Sequence, residues 1–317
     1  MKRRFLVLLD RIKGVLTNPS ASTIGFSIFT VEGEFPNLSG VNKKIIDINP
    51  ARFRLTNKNP VQLADPFVVL VNGDKFCFFE TKSPGRPGEI CVLKFSDSGK
   101  FTMYRCDLQL ASHASFPFLF QDKLSDKIYL MPETAAEREV AIYESVVFPT
   151  RWQKKIILLT GNYVDSHVFE HDHVYYLFTT VKIATERPNY FNYQLQLYTS
   201  NDLLGNYSPH PMNPIKTGRK FARSAGGIIV SGNTIFRVAQ DCTNSYGREL
   251  TVFEILKLTP KEYVEEVVVE NWINITFGHV PGGHHVSQVI SDKQHYLAVD
   301  FNYTDSYFQR FINPLIK

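Results

Sequence analysis

From residue 60 onward the chain alternates short apolar runs with polar turns. Residues 65–80 open with Asp65-Pro66 and five apolar residues, turn at Asn72-Gly73-Asp74, and return through Phe76, Cys77, Phe78 and Phe79 to Glu80. Two apolar runs around Asn-Gly form a strong hairpin signal, because both central residues of a type I′ turn need positive φ. The pattern recurs from Ser115, from Asp165, from Ser224 and from His284, so hairpin starts fall at 65, 115, 165, 224 and 284. Hairpins at this period, each followed by more strand and none by a long helical period, exclude a βαβ fold. They predict an all-β chain, a five-bladed β-propeller with about four antiparallel strands per blade. The apolar stretch Ile24–Val31 supplies a strand that completes the last blade. No linker divides this region, which gives a propeller over 21–317 after a separate segment, 1–20.

The 1–20 segment has a different pattern. Phe5, Leu8, Leu9, Ile12 and Leu16 share one face at helical spacing, with Lys2, Arg3, Arg4, Arg11 and Lys13 around them. The apolar run Phe5–Leu9 is interrupted by Asp10 and Arg11 and lacks a nearby cleavage site, so it reads as neither signal peptide nor bilayer span. A short basic amphipathic helix fits, able to lie on an anionic membrane through residues 2–16 or to pack on its own domain.

Composition narrows the function classes. Aromatics make up 13% of the chain, which suits strands. The 35 Lys and Arg against 31 Asp and Glu leave a formal net charge of +4, too mild to imply a nucleic-acid partner. Cys77, Cys91, Cys106 and Cys242 contain no CxxC pair, so they read as reduced core cysteines of a cytoplasmic protein.

Propeller geometry gives the polar residues a common place. The start of the first strand and the end of the second lie on one face of each blade. The channel mouth therefore collects Asp65, Ser115, Asp165, Arg223 or Ser224, and His284 or His285, with Glu80, Glu133, Asp241 and Asp300 one step outward. Each acid also has a plain reading as a turn cap. Crowded carboxylates raise at least one pKa, which suits general acid or base work, and glycosidic-bond chemistry uses two of them. Arg138 and Arg223 are candidate clamps for a phosphate or a sugar carboxylate, or partners of neighbouring acids. Phe79, Tyr163, Tyr190, Phe191 and Tyr193 are candidate stacking faces or core. His284 and His285 on a regular strand point to opposite faces and so do not share an ion. No metal ligands and no cofactor are assigned.

Ala64-Asp65-Pro66-Phe67 with Glu80, Ser115-Phe116-Pro117-Phe118 with Pro132-Glu133-Thr134, Phe148–Trp152, Asp165 with Thr179-Thr180, Ala239–Cys242 with Tyr246-Gly247, and Leu258-Thr259-Pro260 together resemble one family. It is the five-bladed propeller at the N-terminus of plant glucosamine inositolphosphorylceramide transferases, itself similar to family 43 glycosidases. The resemblance covers roughly 22–305. It implies Asp65 as catalytic base, Asp165 as the acid that tunes pKa and Glu133 as proton donor. Ser115 stands where a carboxylate would fit, and Ser166 follows Asp165 where proline would. Glu80, Arg138, Arg223, Asp241, His284 and His285 are then the substrate-binding candidates. The expected function is a carbohydrate-active enzyme acting on a glycosidic bond, in glycosyl transfer within glycan, polysaccharide or glycolipid biosynthesis. Its ligands would be a sugar or nucleotide sugar and a glycan or glycolipid acceptor, met in the cytoplasm or at the inner membrane face. A family 43-like hydrolase, and a non-catalytic glycan-binding propeller that positions an acceptor for a partner transferase, are the alternatives.

Overall fold

The computed structural model describes residues 23–48, 62–122, 125–186, 190–278, 282–291 and 294–303. The basic helix expected over residues 2–16 lies outside them. The described chain is nearly all β, with one α-helix, α1 (Trp272–Phe277).

Strands β1 (Thr23–Glu34) and β2 (Asn37–Ile48) form a hairpin. Then come β3 (Gln62–Val71), β4 (Asp74–Lys82), β5 (Glu89–Phe95) and β6 (Phe101–Arg105), an antiparallel run in sequence order. Asn72 and Gly73 both have positive φ, 50° and 80°, as the sequence requires of that turn. The second sheet holds β7 (Ser115–Gln121), β8 (Ile128–Glu133), β9 (Glu139–Val147) and β10 (Arg151–Thr160). The third holds β11 (Tyr163–His171), β12 (Val174–Ala184), β13 (Phe191–Ser200) and the short β14 (Ser208–Pro209) and β15 (Lys216–Thr217). The fourth holds β16 (Arg223–Ser224), β17 (Ile229–Ser231), β18 (Thr234–Asp241), β19 (Glu249–Leu258) and β20 (Tyr263–Val269). The last strands, β21 (Val286–Ile290) and β22 (His295–Tyr303), pair with each other, and β22 pairs with β1 from Thr23↔Tyr303 to Val31↔His295. The N-terminal strand thus docks beside the C-terminal one, and β2 adds a further strand outside it. A parallel pairing, Ile24↔Gln62, links this group to β3.

The core lies between sheets. Leu119, Leu130 and Trp152 pack on Phe78 and Val92 of the preceding sheet. Met131 and Ile142 pack on Val168 and Leu177, and Phe178 and Leu195 pack on Ile255 and Tyr263. Phe236 and Val252 pack on Phe29 and Val299, and Phe26 and Ala298 pack on Leu63 and Phe79. Because each interface is apolar and buried, every sheet is fixed against its sequence neighbours, and the starts of β3, β7 and β11 are brought together.

Candidate functional site

The site is built from a backbone irregularity repeated in three sheets. Registers shift between Ala64 and Phe67, between Ser115 and Phe118, and between Val164 and His167. Inside each bulge one residue adopts a left-handed conformation: Asp65 (φ 53°), Phe116 (φ 44°) and Asp165 (φ 51°). Aspartate tolerates this region; for phenylalanine it is strained and persists because the surroundings enforce it. Phe116 is fully buried, and its N–H donates to Asp65 Oδ2 at 3.2 Å. The equivalence corrects the sequence reading by one residue: Phe116, not Ser115, holds the place of Asp65 and Asp165. Ser115 instead pairs with Glu133, as Ala64 pairs with Glu80 and Val164 with Thr180. Glu80 and Glu133 therefore occupy one register position in neighbouring sheets.

Asp65 is 6% exposed and held from several sides. Its N–H donates to Asp300 Oδ2 at 3.3 Å, and its Oδ1 lies 3.3 Å from His284 Nε2 and 3.7 Å from His285 Nδ1. Asp300, fully buried, accepts the N–H groups of His284 and His285 on Oδ1, at 2.8 and 2.9 Å. Its Oδ2 lies 2.8 Å from His284 Nδ1. The two histidines do not diverge as on a regular strand, because they precede β21 in a bend around Asp300. Gly283 permits that bend: a Cβ there would lie 2.0 Å from the Asp300 carbonyl oxygen. Burial opposes a charge on His284, but the Asp300 and Asp65 carboxylates outweigh it and raise its pKa well above the ordinary value. Asp65, His284 and Asp300 bring one ligand-type atom each within 4.8 Å of one another. Both imidazole nitrogens face carboxylates, an arrangement that suits an imidazolium bridging two anions; a metal would have to displace that proton.

Asp165, 2% exposed, receives Arg223 Nε on Oδ2 at 2.6 Å and Arg223 Nη2 on Oδ1 at 3.4 Å. Burial pushes Asp165 up, yet the Arg223 charge and hydrogen bonds, with Lys182 and Glu133, bring it below the usual range. Glu133 shows the opposite outcome. Burial, then the Asp165 charge, push it up to about 8 against Lys182 and Arg223. Glu133 is thus held well above the usual carboxyl range beside an acid held below it. Burial and the Asp65 charge likewise push Glu80 up to about 8. Environments that drive neighbouring carboxyls apart assign acid and base roles.

The remaining candidates divide. His285 is fully buried, with Phe67 and Phe116 edge-on at 4.4 and 5.4 Å, and burial holds it down at about 3. It has no surface to offer a substrate, which corrects its assignment to the binding set. His167, stacked on Phe178 at 5.3 Å and also held at about 3, packs in the same way. Asp241 accepts the Thr243 N–H at 2.8 Å, the turn-cap role. Arg138 is exposed in the turn after β8, where it ends a short 3-10 helix in a left-handed conformation. Phe79 is core against Phe26, and the Tyr163 and Tyr198 hydroxyls bond each other at 2.9 Å. Tyr193 lies 5.5 Å from the Arg223 guanidinium.

Several groups escaped the sequence reading. Tyr246, 42% exposed, lies 4.8 Å from the Arg223 guanidinium and 4.9 Å from the His284 ring. His113 Nε2 is 3.7 Å from Glu80 Oε1. Lys82 and Lys182 act electrostatically on the carboxyls above. The one available signal was spacing: each lysine stands two residues beyond the position that Glu80, Glu133 and Thr180 share.

Three solved glycoside hydrolases share this fold. The GH43 protein BlXynB from Bacillus licheniformis matches at TM-score 0.54 and 16% identity, over 77% of this chain and 52% of that one. The α-L-arabinofuranosidase CtGH43 from Clostridium thermocellum matches at 0.53 and 14%, over 74% and 80%. Zg3597, a family 117 glycoside hydrolase from Zobellia galactanivorans, matches at 0.53 and 12%, over 89% and 91%. The fold is therefore the propeller type of the family 43 glycosidases. In sequence, residues 51–279 match the family model "Glucosamine inositolphosphorylceramide transferase 1, N-terminal", and the chain belongs to that family. Glucosamine inositolphosphorylceramide transferase 1 of Oryza sativa subsp. japonica is 33% identical over 209 residues, and that of Arabidopsis thaliana 34% over 210. Each alignment covers 64% of this chain but only 27% and 26% of those proteins.

Proposed function

We propose that this chain is a carbohydrate-active enzyme, a single ring of five four-stranded blades that transfers a sugar within glycan or glycolipid assembly. The fifth blade in this reading is β21–β22 with β1 and β2, and the apolar interfaces between successive sheets support the count. The observation that carries the activity is Glu133, pushed up to about 8, beside the Asp165 carboxylate that Arg223 Nε meets at 2.6 Å.

In the proposed step Asp65 accepts the proton of an acceptor hydroxyl. The acceptor oxygen bonds to the anomeric carbon, the bond to the leaving oxygen breaks, and Glu133 delivers its proton to that oxygen. Asp165 stays ionised and keeps Glu133 protonated; His284 and Asp300 orient Asp65. A second reading, glycan binding without chemistry, is favoured by one feature: Asp65 is engaged by Phe116, His284 and Asp300 and is nearly buried. The relatives extend far beyond the matched region, so transfer by a separate part of such a protein fits this second reading.

Thermal shifts against nucleotide sugars and oligosaccharides, followed by turnover assays, test the proposal. A ligand at 100 times its Kd adds about 2.7 kcal/mol. A nucleotide-sugar shift with transfer that Asp65→Asn abolishes supports the transferase. Binding and turnover that survive Asp65→Asn overturn it, and binding without turnover leaves the glycan-binding reading.

A further inference from the structure

Strands β3 and β7 carry polar site residues near their starts and an apolar cavity beyond. Asp65 and Ser115 stand at the bulges; past them, residues 67–71 and 118–121 run toward the hairpin turns. These two stretches, with residues 227–229 and residues 287–289, line a cavity of about 240 Å³. Its walls are mainly apolar, formed by Phe67, Val71, Phe118, Phe120, Ile229 and Val289. Gly227 makes room for one wall, since a Cβ there would lie 2.9 Å from Phe118 Cε2. Phe67 stands between the cavity and the carboxylates. Its ring packs at 5.0 Å on Phe116 and at 4.4 Å on His285, the residues whose N–H and Nδ1 approach Asp65.

Three residues with polar side chains belong to the lining, and two of them are engaged. Gln121 Nε2 donates to Asp126 Oδ1 at 2.5 Å. Ser287 Oγ donates to the Pro66 carbonyl at 2.6 Å and accepts the Val68 N–H at 2.9 Å, which ties β21 to β3. Gln288 differs. Its Oε1 and Nε2 are both buried, and neither has a hydrogen-bond partner among the described residues. A buried amide left unpaired costs free energy, so this one favours a ligand that answers both its donor and its acceptor. Among the described residues no charged side chain lines the cavity. A carboxylate or ammonium placed there would lose its water without gaining a counter-charge.

We infer that this cavity is a second binding site, distinct from the carboxylate cluster, and that it takes a neutral single-ring carboxamide. An apolar cavity of roughly 150 Å³ accommodates benzene. The larger volume here leaves room for a substituent of a few atoms beside such a ring. The aromatic walls Phe67, Phe118 and Phe120 suit a flat ring. A carboxamide offers its carbonyl to the Gln288 Nε2–H and its own N–H to Gln288 Oε1, so the two amides pair. The inference is independent of the carbohydrate reading, which places the sugar at Asp65 and Glu133.

Ligand-detected NMR titration of the full chain with benzamide, benzoate and toluene tests this. Benzamide should bind saturably with a Kd of about 1 mM or below, and about tenfold more tightly than benzoate or toluene. Gln288→Leu keeps the bulk of the side chain and removes both amide groups. It should weaken benzamide about tenfold and leave toluene no weaker. Its melting temperature should not fall, because no hydrogen bond within the protein is lost. The comparison of the three probes on the wild-type chain stands even if the variant does not fold. Three results would each overturn the site: no saturable benzamide binding, benzoate or toluene binding as tightly as benzamide, or wild-type benzamide affinity in Gln288→Leu. Sugar binding and its response to Asp65→Asn are read with other ligands, so the two readings fail separately.

Discussion

Two arginine–carboxylate pairs are buried in neighbouring parts of this molecule, and they are built differently. Arg237 and Glu265, each 1% exposed at the side chain, meet through two bonds of 2.7 Å, Nε to Oε2 and Nη2 to Oε1. Glu265 also accepts the Tyr263 hydroxyl and lies 3.2 Å from Lys216 Nζ, while Arg237 Nη2 donates to the Phe221 carbonyl. Arg223 and Asp165 share one short bond of 2.6 Å and one long contact of 3.4 Å. Asp165 also acts on Glu133, and Arg223 lies 4.8 Å from the partly exposed Tyr246 ring. The first pair is sealed from solvent, with Arg237 Nη1 left unpartnered, and fixes β18 to β20. The second has spare capacity toward the mouth of the site. A buried ion pair is weak evidence for stability or function by itself; its remaining partners separate the two.

The largest expected effect falls on the open pair. Glu133→Gln keeps the shape and neutrality of the glutamic acid but removes its transferable proton. Turnover should drop about 10²–10⁴-fold, with a melting temperature close to wild type. Unchanged turnover in that variant would remove Glu133 from the acid role. On the closed pair the effect is structural. Arg237→Met strands the Glu265 charge and should cost about 3–5 kcal/mol, visible as a fall in melting temperature of about 10 °C or more. Ligand affinity of the folded fraction should hold. A shift under about 2 °C would mean that the pair does not secure the sheet.

The difference between these regions also explains what the sequence could reveal. The hairpins were legible because Asn72-Gly73 and its counterparts encode turns locally. The first strand was legible from the apolar run after Asp65, although it begins earlier, at Gln62, and the pairing of Ile24–Val31 with the last strand followed from its apolar run. The bulges were not legible. Nothing in Ser115-Phe116-Pro117 shows that Phe116 takes the left-handed conformation, so the equivalence slipped by one residue. A different irregularity, the bend before β21, misled the reading of His284 and His285, whose N–H groups both turn to Asp300 Oδ1. His113 reaches Glu80 from a distant part of the chain, and no local pattern marks such a contact. Asp241 and Glu133 look alike in sequence and are both buried; one caps a turn and the other sits against a second carboxyl, because neighbours decide.

Acid and alkali should separate the regions in opposite senses. Glu80 and Glu133 are raised to about 8, whereas a carboxyl in the unfolded chain titrates near ~4.3. Their contribution to stability is complete below the unfolded value and is lost as pH rises toward 8, because the unfolded chain releases protons that the folded one keeps. Glu265 is lowered, since Arg237 and Tyr263 outweigh its burial, so its contribution is present at neutral pH and lost as pH falls below the unfolded value. Melting curves of wild type and of a Glu80→Gln, Glu133→Gln double variant should diverge between pH ~5 and ~8. Wild type should lose at least about 2 °C relative to the variant. Parallel curves would show that the two acids are not held neutral.

The smallest effect concerns the aromatic ring that accompanies each guanidinium. Phe253 lies 4.4 Å from Arg237 and is 1% exposed; Tyr246 lies 4.8 Å from Arg223 and is 42% exposed. Phe253→Leu removes buried contact area and a cation–π contact inside the closed pair, and should cost roughly 1–2 kcal/mol of stability without altering ligand binding. Tyr246→Leu removes a ring that already faces solvent, so stability should move by no more than about 0.5 kcal/mol. Its loss should instead appear in binding, as a two- to fivefold rise in Kd for a sugar ligand, corresponding to the roughly 0.5–1 kcal/mol of an exposed cation–π or stacking contact. The pair of variants measured side by side, by melting and by titration, gives opposite signatures if one guanidinium serves the fold and the other the site. If Tyr246→Leu instead unfolds the protein, or if Phe253→Leu weakens binding at unchanged stability, the assignment of the two pairs is reversed.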